Sequence, residues 1–437
     1  MVRLRKLCSW SVGGWAGGPA WRRFVLGAAL CGAAGASCRH DAPVAREVLR
    51  QRAYLWQRDW TPAVADALAE IGSRMDGVVV LGTEILWNAE GPEARAASVD
   101  WAALRRAKGS RAVALRIAPW VGPFALNDAK ADFIAGVAHS LADKAEAAGV
   151  QLDEFQIDFD CGQKNLAGYR LWLRRLLAVV KPPTRLVMTT LPAWLEEKEF
   201  RSLVGEVDGY VLQVHSVPTM RESGREALFE PALARKWVAQ AAKLGRPFSV
   251  SLPTYRCVAG YDGAGKLLGV YMDSVPPKWP AGTTTLEFSA DADVIADIVR
   301  EWQTARPREM QELIWYRAPV ASDVRNWRWP TLAAVMAGRR PRRELQVAQD
   351  GTNPVDLSFV NAGEAEQPLA SIVTATWRGG MLEAADALEG WSVVAEKERA
   401  RFIPSLPSRA RLAPGARRSI GWLRFREPTT IEIGVEK

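Results

Sequence analysis

The chain has 437 residues, 48% hydrophobic and 24% charged, which is the composition of a folded globular protein and excludes a disordered, collagen-like or coiled-coil chain. Its formal charge of +8 comes partly from a leader that holds Arg3, Arg5, Lys6, Arg22 and Arg23 and no acid; the rest is close to balanced, with no basic stripe suited to nucleic acid. The three histidines, His40, His139 and His215, argue against a multi-histidine metal site and against most Ser-His-Asp chemistry. Acid–base work therefore falls to carboxylates, and no metal or cofactor is called for.

Residues 1–38 have the layout of an export signal: a basic stretch ending at Arg22-Arg23, the apolar run FVLGAALCGAAGAS, then Cys38. The run is too short to span a bilayer as a mature helix. Ala36-Ser37-Cys38 resembles the end of a bacterial lipobox, with Gly35 where a leucine is usual. That resemblance implies lipidation at Cys38, so the expected location is the periplasm, free or attached to a membrane by lipid. No later stretch is long and apolar enough to cross a membrane. Cys161 and Cys257 are the cysteines left for the folded part. An oxidising compartment would let them pair, and two separate buried thiols are the alternative.

In chain order, eight segments read as strands: AYLWQRDW from Ala53, GVVVLGTEI from Gly77, RAVALRIAPW from Arg111, EFQIDFD from Glu154, RLVMTTLPAW from Arg185, GYVLQVHS from Gly209, PFSVSLPTY from Pro247 and ELIWYRAP from Glu312. Helix-period stretches lie between them, clearest in DAKADFIAGVAHSLADKAEAAG and LAGYRLWLRRLLAVV. Regular alternation of strand and helix implies a parallel sheet, and eight units over residues 50–338 fit a (βα)8 TIM-type barrel. The run Arg339-Arg340-Pro341-Arg342-Arg343 opens a basic linker, expected over 339–353 as a solvated segment. Residues 354–437 change to short alternating segments, VDLSFVNA, SIVTATWRG, RRSIGWLRF and TTIEIGVEK, which predict a small β-sandwich.

Barrel chemistry sits at the C-terminal strand ends, and side chains alternate between the interior and the helix layer. In EFQIDFD the apolar Phe155, Ile157 and Phe159 share one parity and should pack under helices; Gln156, Asp158 and Asp160 share the other and should face inward. A buried carboxylate without partners costs several kcal/mol, so such a row needs partners or a task. The other strands offer Trp56 and Arg58, Glu84, Arg116, Gln213 and His215, Tyr255, and Trp315 with Arg317. Asp158 and Asp160 are the candidate catalytic pair, and Gln156, Glu84, Arg116, Gln213, His215, Tyr255, Trp315 and Arg317 the candidate substrate contacts. Acids flanked by amides, guanidinium groups and aromatics suit a polyhydroxylated ligand.

The stretch DEFQIDFD resembles the fourth-strand signature of family-18 glycoside hydrolases, the chitinase-like enzymes, which runs D-x-x-D-x-D-x-E. Asp153 takes its first position, Gln156 its second, Asp158 its third and Asp160 that of the glutamate. The resemblance implies that Asp160 is the general acid and that Asp158 orients a substrate acetamide. Asp160 is one methylene shorter than the family's Glu, and Gln156 lacks a charge. A wider resemblance, carried by LDEFQIDFDC, TLPAW, GYVLQVHS, SLPTY and LIWYRAPVA in this order, is to the bacterial domain-of-unknown-function family 3142 and implies an exported (βα)8 protein. The function expected from these readings is a glycoside-hydrolase-like protein acting on a cell-envelope or extracellular polysaccharide by carboxylate acid–base chemistry. The alternative is a catalytically silent carbohydrate-binding or assembly protein on the same scaffold. The expected partners are a polysaccharide or oligosaccharide and, through Cys38, a membrane; the sequence assigns no oligomeric state.

Overall fold

The computed structural model describes residues 47–126, 128–215, 228–272, 277–388, 390–405 and 410–436. The leader and Cys38 lie outside the described residues. Among the described residues no helix is long and apolar enough to cross a membrane.

Strand and helix alternate from the start: β1 (Arg50–Leu55), α1 (Pro62–Arg74), β2 (Gly77–Asn88), β3 (Gly91–Ala96), α2 (Trp101–Arg106), β4 (Ser110–Ile117), α3 (Ala129–Ala147) and β5 (Glu154–Phe159). The series continues with α4 (Leu166–Leu177), β6 (Arg185–Thr190), α5 (Lys198–Val204), β7 (Gly209–Gln213), α6 (Pro231–Ala242) and β8 (Phe248–Pro253). Three further strands follow, β9 (Arg256–Tyr261), β10 (Leu267–Tyr271) and β11 (Thr284–Ser289), then α7 (Ala292–Thr304), β12 (Met310–Tyr316) and α8 (Trp329–Met336). Strands β1, β2, β4, β5, β6, β7, β8 and β12 pair in parallel, and β1 bonds both β2 and β12, so the sheet closes into a (βα)8 barrel. These are the eight strands expected from the sequence, β1 beginning at Arg50 rather than Ala53. Two additions were not foreseen: β3 folds back antiparallel on β2, and β9, β10 and β11 form a small antiparallel sheet after β8.

Alternation explains the barrel's two layers. Phe155, Ile157 and Phe159 pack outward, and the Phe159 ring lies 5.0 Å from Tyr169 and 5.6 Å from Trp172 on α4. Each such side chain taken from water contributes about 1.5–3 kcal/mol. Three helix starts, those of α2, α3 and α7, carry side-chain caps. Asp128 accepts from the Ala131 amide at 2.6 Å to open α3, and Asp291 accepts from Asp293 and Val294 to open α7. Caps of this kind are worth about 1 kcal/mol each.

One glycine changes where a functional side chain points. In β2, Val79 and Leu81 face the interior while Val78 and Val80 face the helices. Strict alternation would send Glu84 outward. The register against β4 shifts between Leu81 and Thr83, so Gly82 is bulged, Glu84 lies beside Arg116 and Ile85 takes the outward place. A Cβ at Gly82 would meet Val113 and Leu141 carbons at 2.5 and 2.6 Å, so only glycine fits the bulge.

After the barrel come β13 (Leu345–Asp350), β14 (Val355–Asn361), β15 (Gln367–Pro368), β16 (Ile372–Trp377), β17 (Leu382–Ala387), β18 (Trp391–Glu396), β19 (Arg399–Pro404), β20 (Arg411–Leu412), β21 (Arg417–Phe425) and β22 (Ile431–Glu436). Two four-stranded antiparallel sheets form, ordered β13-β14-β21-β17 and β18-β19-β16-β22. Leu357, Phe359 and Leu423 from the first share one core with Val373, Ala375 and Phe402 from the second, which makes the unit a sandwich. The expected linker is shorter than 339–353, because β13 lies inside that span and pairs with β14. Its arginines are more than half exposed and also make ion pairs: Arg339 with Glu364, Arg340 with Asp297, and Arg343 with Asp293. Carboxylates of α7 and of the β14–β15 turn had no signal in the local sequence.

Candidate active site

The barrel interior is built in layers from its base. Lowest is a buried ion network: Arg52 on β1 donates to Glu312 on β12 at 2.6 and 2.7 Å and to Glu154 on β5 at 3.2 Å. Ser249 donates to Glu312, and Arg185 reaches Glu154 at 2.8 Å. Burial alone would lower the Arg52 pKa, but the two carboxylates more than offset it and hold the guanidinium charged. Burial likewise works to raise Glu154, and Arg52 and Gln156 keep it below the usual carboxylate value. The small residues Ala112, Ala114 and Ser251 leave room for these long side chains.

Gln156 forms the next layer. It is fully buried, donates to Glu154 and accepts from the Tyr54 hydroxyl at 2.7 Å. It faces inward, as the alternation required, but its polar atoms are engaged below the mouth, so it supports the site and does not reach a ligand.

Above it the mouth has two sides. On the acid side, Glu84 binds both Arg58 and Arg116, the latter at 3.3 Å. Arg116 also lies 3.9 Å from Asp158, and the Thr189 hydroxyl donates to Asp158 at 2.8 Å. Burial raises the Asp158 pKa, against the pull of Arg116 and Thr189. Asp160 follows at the end of β5 and is tied by no hydrogen bond or ion pair among the described residues. Burial first, and the Asp158 charge second, push its carboxyl up to about 7, with Arg116 opposing. Two carboxyls on one strand face cannot both ionise cheaply, so the pair holds a proton near neutral pH.

On the aromatic side, the Tyr316 ring meets Tyr54, Trp56 and Tyr255 edge-on with centroids 5.6, 5.6 and 5.7 Å away, and stacks on His215 at 5.9 Å. The Tyr255 hydroxyl is 3.4 Å from His215 Nδ1. Burial lowers His215 to about 4, so the imidazole is neutral. Gln213, half-buried at the end of β7, shares the inward parity of Val211.

Besides Gln156, two more expected ligand contacts are corrected. Trp315 is not a mouth residue: it packs in the helix-side core, and its indole donates to Gln51 at 3.0 Å. The inward residues of β12 are Glu312, Ile314 and Tyr316, a parity dictated by the Glu312 pairing with Arg52. Arg317 does not point free into the mouth but is tied to Asp323 in the turn that follows, at 2.6 Å. Tyr54, Thr189 and Tyr316 were missed. Tyr54 could have been found from its shared parity with Trp56, and Tyr316 by counting from Glu312. Cys161 and Cys257 are buried free thiols, and burial pushes both up to about 12, which keeps them unreactive.

The fold and mouth define a (βα)8 barrel protein with a paired carboxyl site at the C-terminal strand ends. Residues 124–321 match the model of a family described as a domain of unknown function, DUF3142, and residues 344–426 match that of a second, DUF8456. The first of these is the family that the sequence motifs resemble. Solved structures similar to this chain include a chitinase from Bacillus thuringiensis (10% identity, 89% of this chain and all of that one, TM-score 0.42). Others are the spore cortex-lytic enzyme SleL of Bacillus cereus (12%, 67% and 74%, 0.45) and a chitinase from Chromobacterium violaceum (13%, 66% and 98%, 0.42). Comparison with curated proteins gave no match.

Proposed function

We propose that this chain is an exported glycoside-hydrolase-like protein acting on a cell-envelope or extracellular polysaccharide. The observation that carries the reading is the Asp158–Asp160 pair on one face of β5: one carboxyl anchored by Thr189 beside Arg116, the other without a hydrogen-bond or ion-pair partner among the described residues and raised to about 7. Asp160 is the general acid. Its proton passes to the leaving oxygen as the glycosidic C–O bond breaks, and Asp158 stabilises the oxocarbenium-like centre that develops. Water then adds at that carbon and returns a proton to Asp160. Because Asp160 works in its protonated form, the rate should fall as pH rises through about 7.

A second reading, a silent glycan binder, is favoured by Asp160 itself, one methylene shorter than the glutamate of the family-18 signature. Release of reducing ends from purified peptidoglycan, chitin and biofilm polysaccharide separates the two. Wild-type protein should cleave at least one, and Asp160→Asn should lose on the order of 10²–10⁴-fold in rate while still binding it. Binding without cleavage by the wild type would establish the silent reading. Export and lipid attachment at Cys38 are tested separately, by fractionating cells that carry Cys38→Ser.

A further inference from the structure

Tyr54 and Tyr316 on the aromatic side of the mouth belong to barrel strands, but Tyr255 is carried on backbone that the barrel sheet does not itself hold. Tyr255 lies between β8 and β9, and the segment from Arg317 to Trp327 follows β12. These two stretches are sewn together. Thr254 N donates to Tyr316 O at 2.9 Å, Arg256 N to Arg325 O at 2.8 Å, and Trp327 N to Thr254 O at 2.9 Å. The Thr254 hydroxyl donates to Arg317 O at 2.6 Å, and Asn326 donates to the carbonyls of Arg317 and Ala318 at 2.9 Å each.

The side chain of Arg256 leaves this seam on its outer side. One guanidinium nitrogen bonds Val324 O at 3.0 Å, and the fork closes on Glu366 with contacts of 2.7 and 2.9 Å. Glu366 does not belong to the barrel. It sits in the turn between β14 and β15 of the sandwich. Its neighbour Glu364 anchors that turn a second time, accepting from Arg339 at 2.6 and 2.8 Å and, through its carbonyl, from Thr331 on α8. The Arg256–Glu366 pair is two-thirds or more shielded from solvent on both sides, and it is bidentate, the geometry in which a carboxylate fixes the orientation of an arginine as well as attracting it.

We propose that Glu366 is a positioning residue for the barrel mouth: by locking Arg256 it holds the backbone of Tyr255 and of the Arg317–Trp327 turn, so that the second domain completes the wall facing the carboxyl pair. The inference rests on the mouth being the working end of the barrel, as proposed above. Its test needs no turnover, so a chain that cleaves no glycan still tests it.

The readout is His215, whose Nδ1 meets the Tyr255 hydroxyl and whose ring stacks on Tyr316. With three histidines in the chain, imidazole signals can be assigned one by one by NMR, and exposed His139 on α3 serves as the internal control. In Glu366→Gln, nearly isosteric but without the charge, loosening of the wall should admit water. His215 should then move from about 4 by at least one unit toward the ordinary value of about 6.5, with His139 unchanged. Amide exchange at Thr254, Arg256 and Trp327 should accelerate about tenfold, while the β14 and β21 amides keep their protection. Glu366→Asp retains the charge and should fall nearer to wild type, and it serves if the glutamine variant does not fold. An unchanged His215 and unchanged exchange in Glu366→Gln would overturn the proposal. So would acceleration spread equally through the sandwich, or a larger effect from aspartate than from glutamine.

Discussion

Asp160→Asn should stabilise the protein at alkaline pH, although it removes the proposed acid. The wild-type carboxyl is raised from an ordinary value near 4 to about 7. Between those limits the native state binds more protons than the unfolded state, so stability falls as pH rises, and the full penalty is present above pH 7. Three units at 1.36 kcal/mol each is about 4 kcal/mol; Asp160 keeps some contact with water, which reduces this to roughly 2–4 kcal/mol. Asparagine cannot ionise and escapes the penalty, while any packing or hydrogen-bonding change it brings is the same at every pH. Thermal unfolding of both proteins at pH 4 and pH 8.5 isolates the ionisation term. The gap should shift in favour of the variant by roughly 3–7 °C between pH 4 and pH 8.5. A gap that does not change with pH, or a variant less stable at pH 8.5 than at pH 4 relative to wild type, would refute the raised carboxyl and with it the case for Asp160 as a proton donor.

Two further outcomes follow from the barrel interior. Arg52→Met leaves Glu154 and Glu312 buried without their shared cation, and denaturant melts should show a loss of about 3–5 kcal/mol; a neutral result would mean that water already enters the base. Gly82→Val places carbon where Val113 and Leu141 stand and should cost about 1–3 kcal/mol by the same melts, more than the same change at Gly136, where an added Cβ meets nothing.

The barrel was legible because alternation and spacing are local. Phe155, Ile157 and Phe159 declare a helix-facing edge, and the acids between them declare an interior one. Glu84 points inward only because Gly82 bulges; a lone glycine in an apolar strand is a signal of that kind, and it was not read. Trp315 was misplaced because LIWY is apolar throughout, so nothing within it sets the phase. Glu312, three residues back, does, but only once Arg52 is known to oppose it. The Arg256–Glu366 clamp joins residues 110 positions apart, and no local pattern links them. The linker arginines likewise pair with acids that lie far away in the chain, which no local pattern shows.

The network of Arg52, Glu154 and Glu312, with Gln156 and Tyr54 above it, stoppers the barrel from below. Among the described residues these buried side chains fill the stem, which leaves the mouth as the door to Asp160. Under the proposed chemistry, incoming ligand, outgoing product and the protons that recharge the acid all share that aperture. Traffic there is sequential, and a product slow to leave delays reprotonation as well as the next substrate.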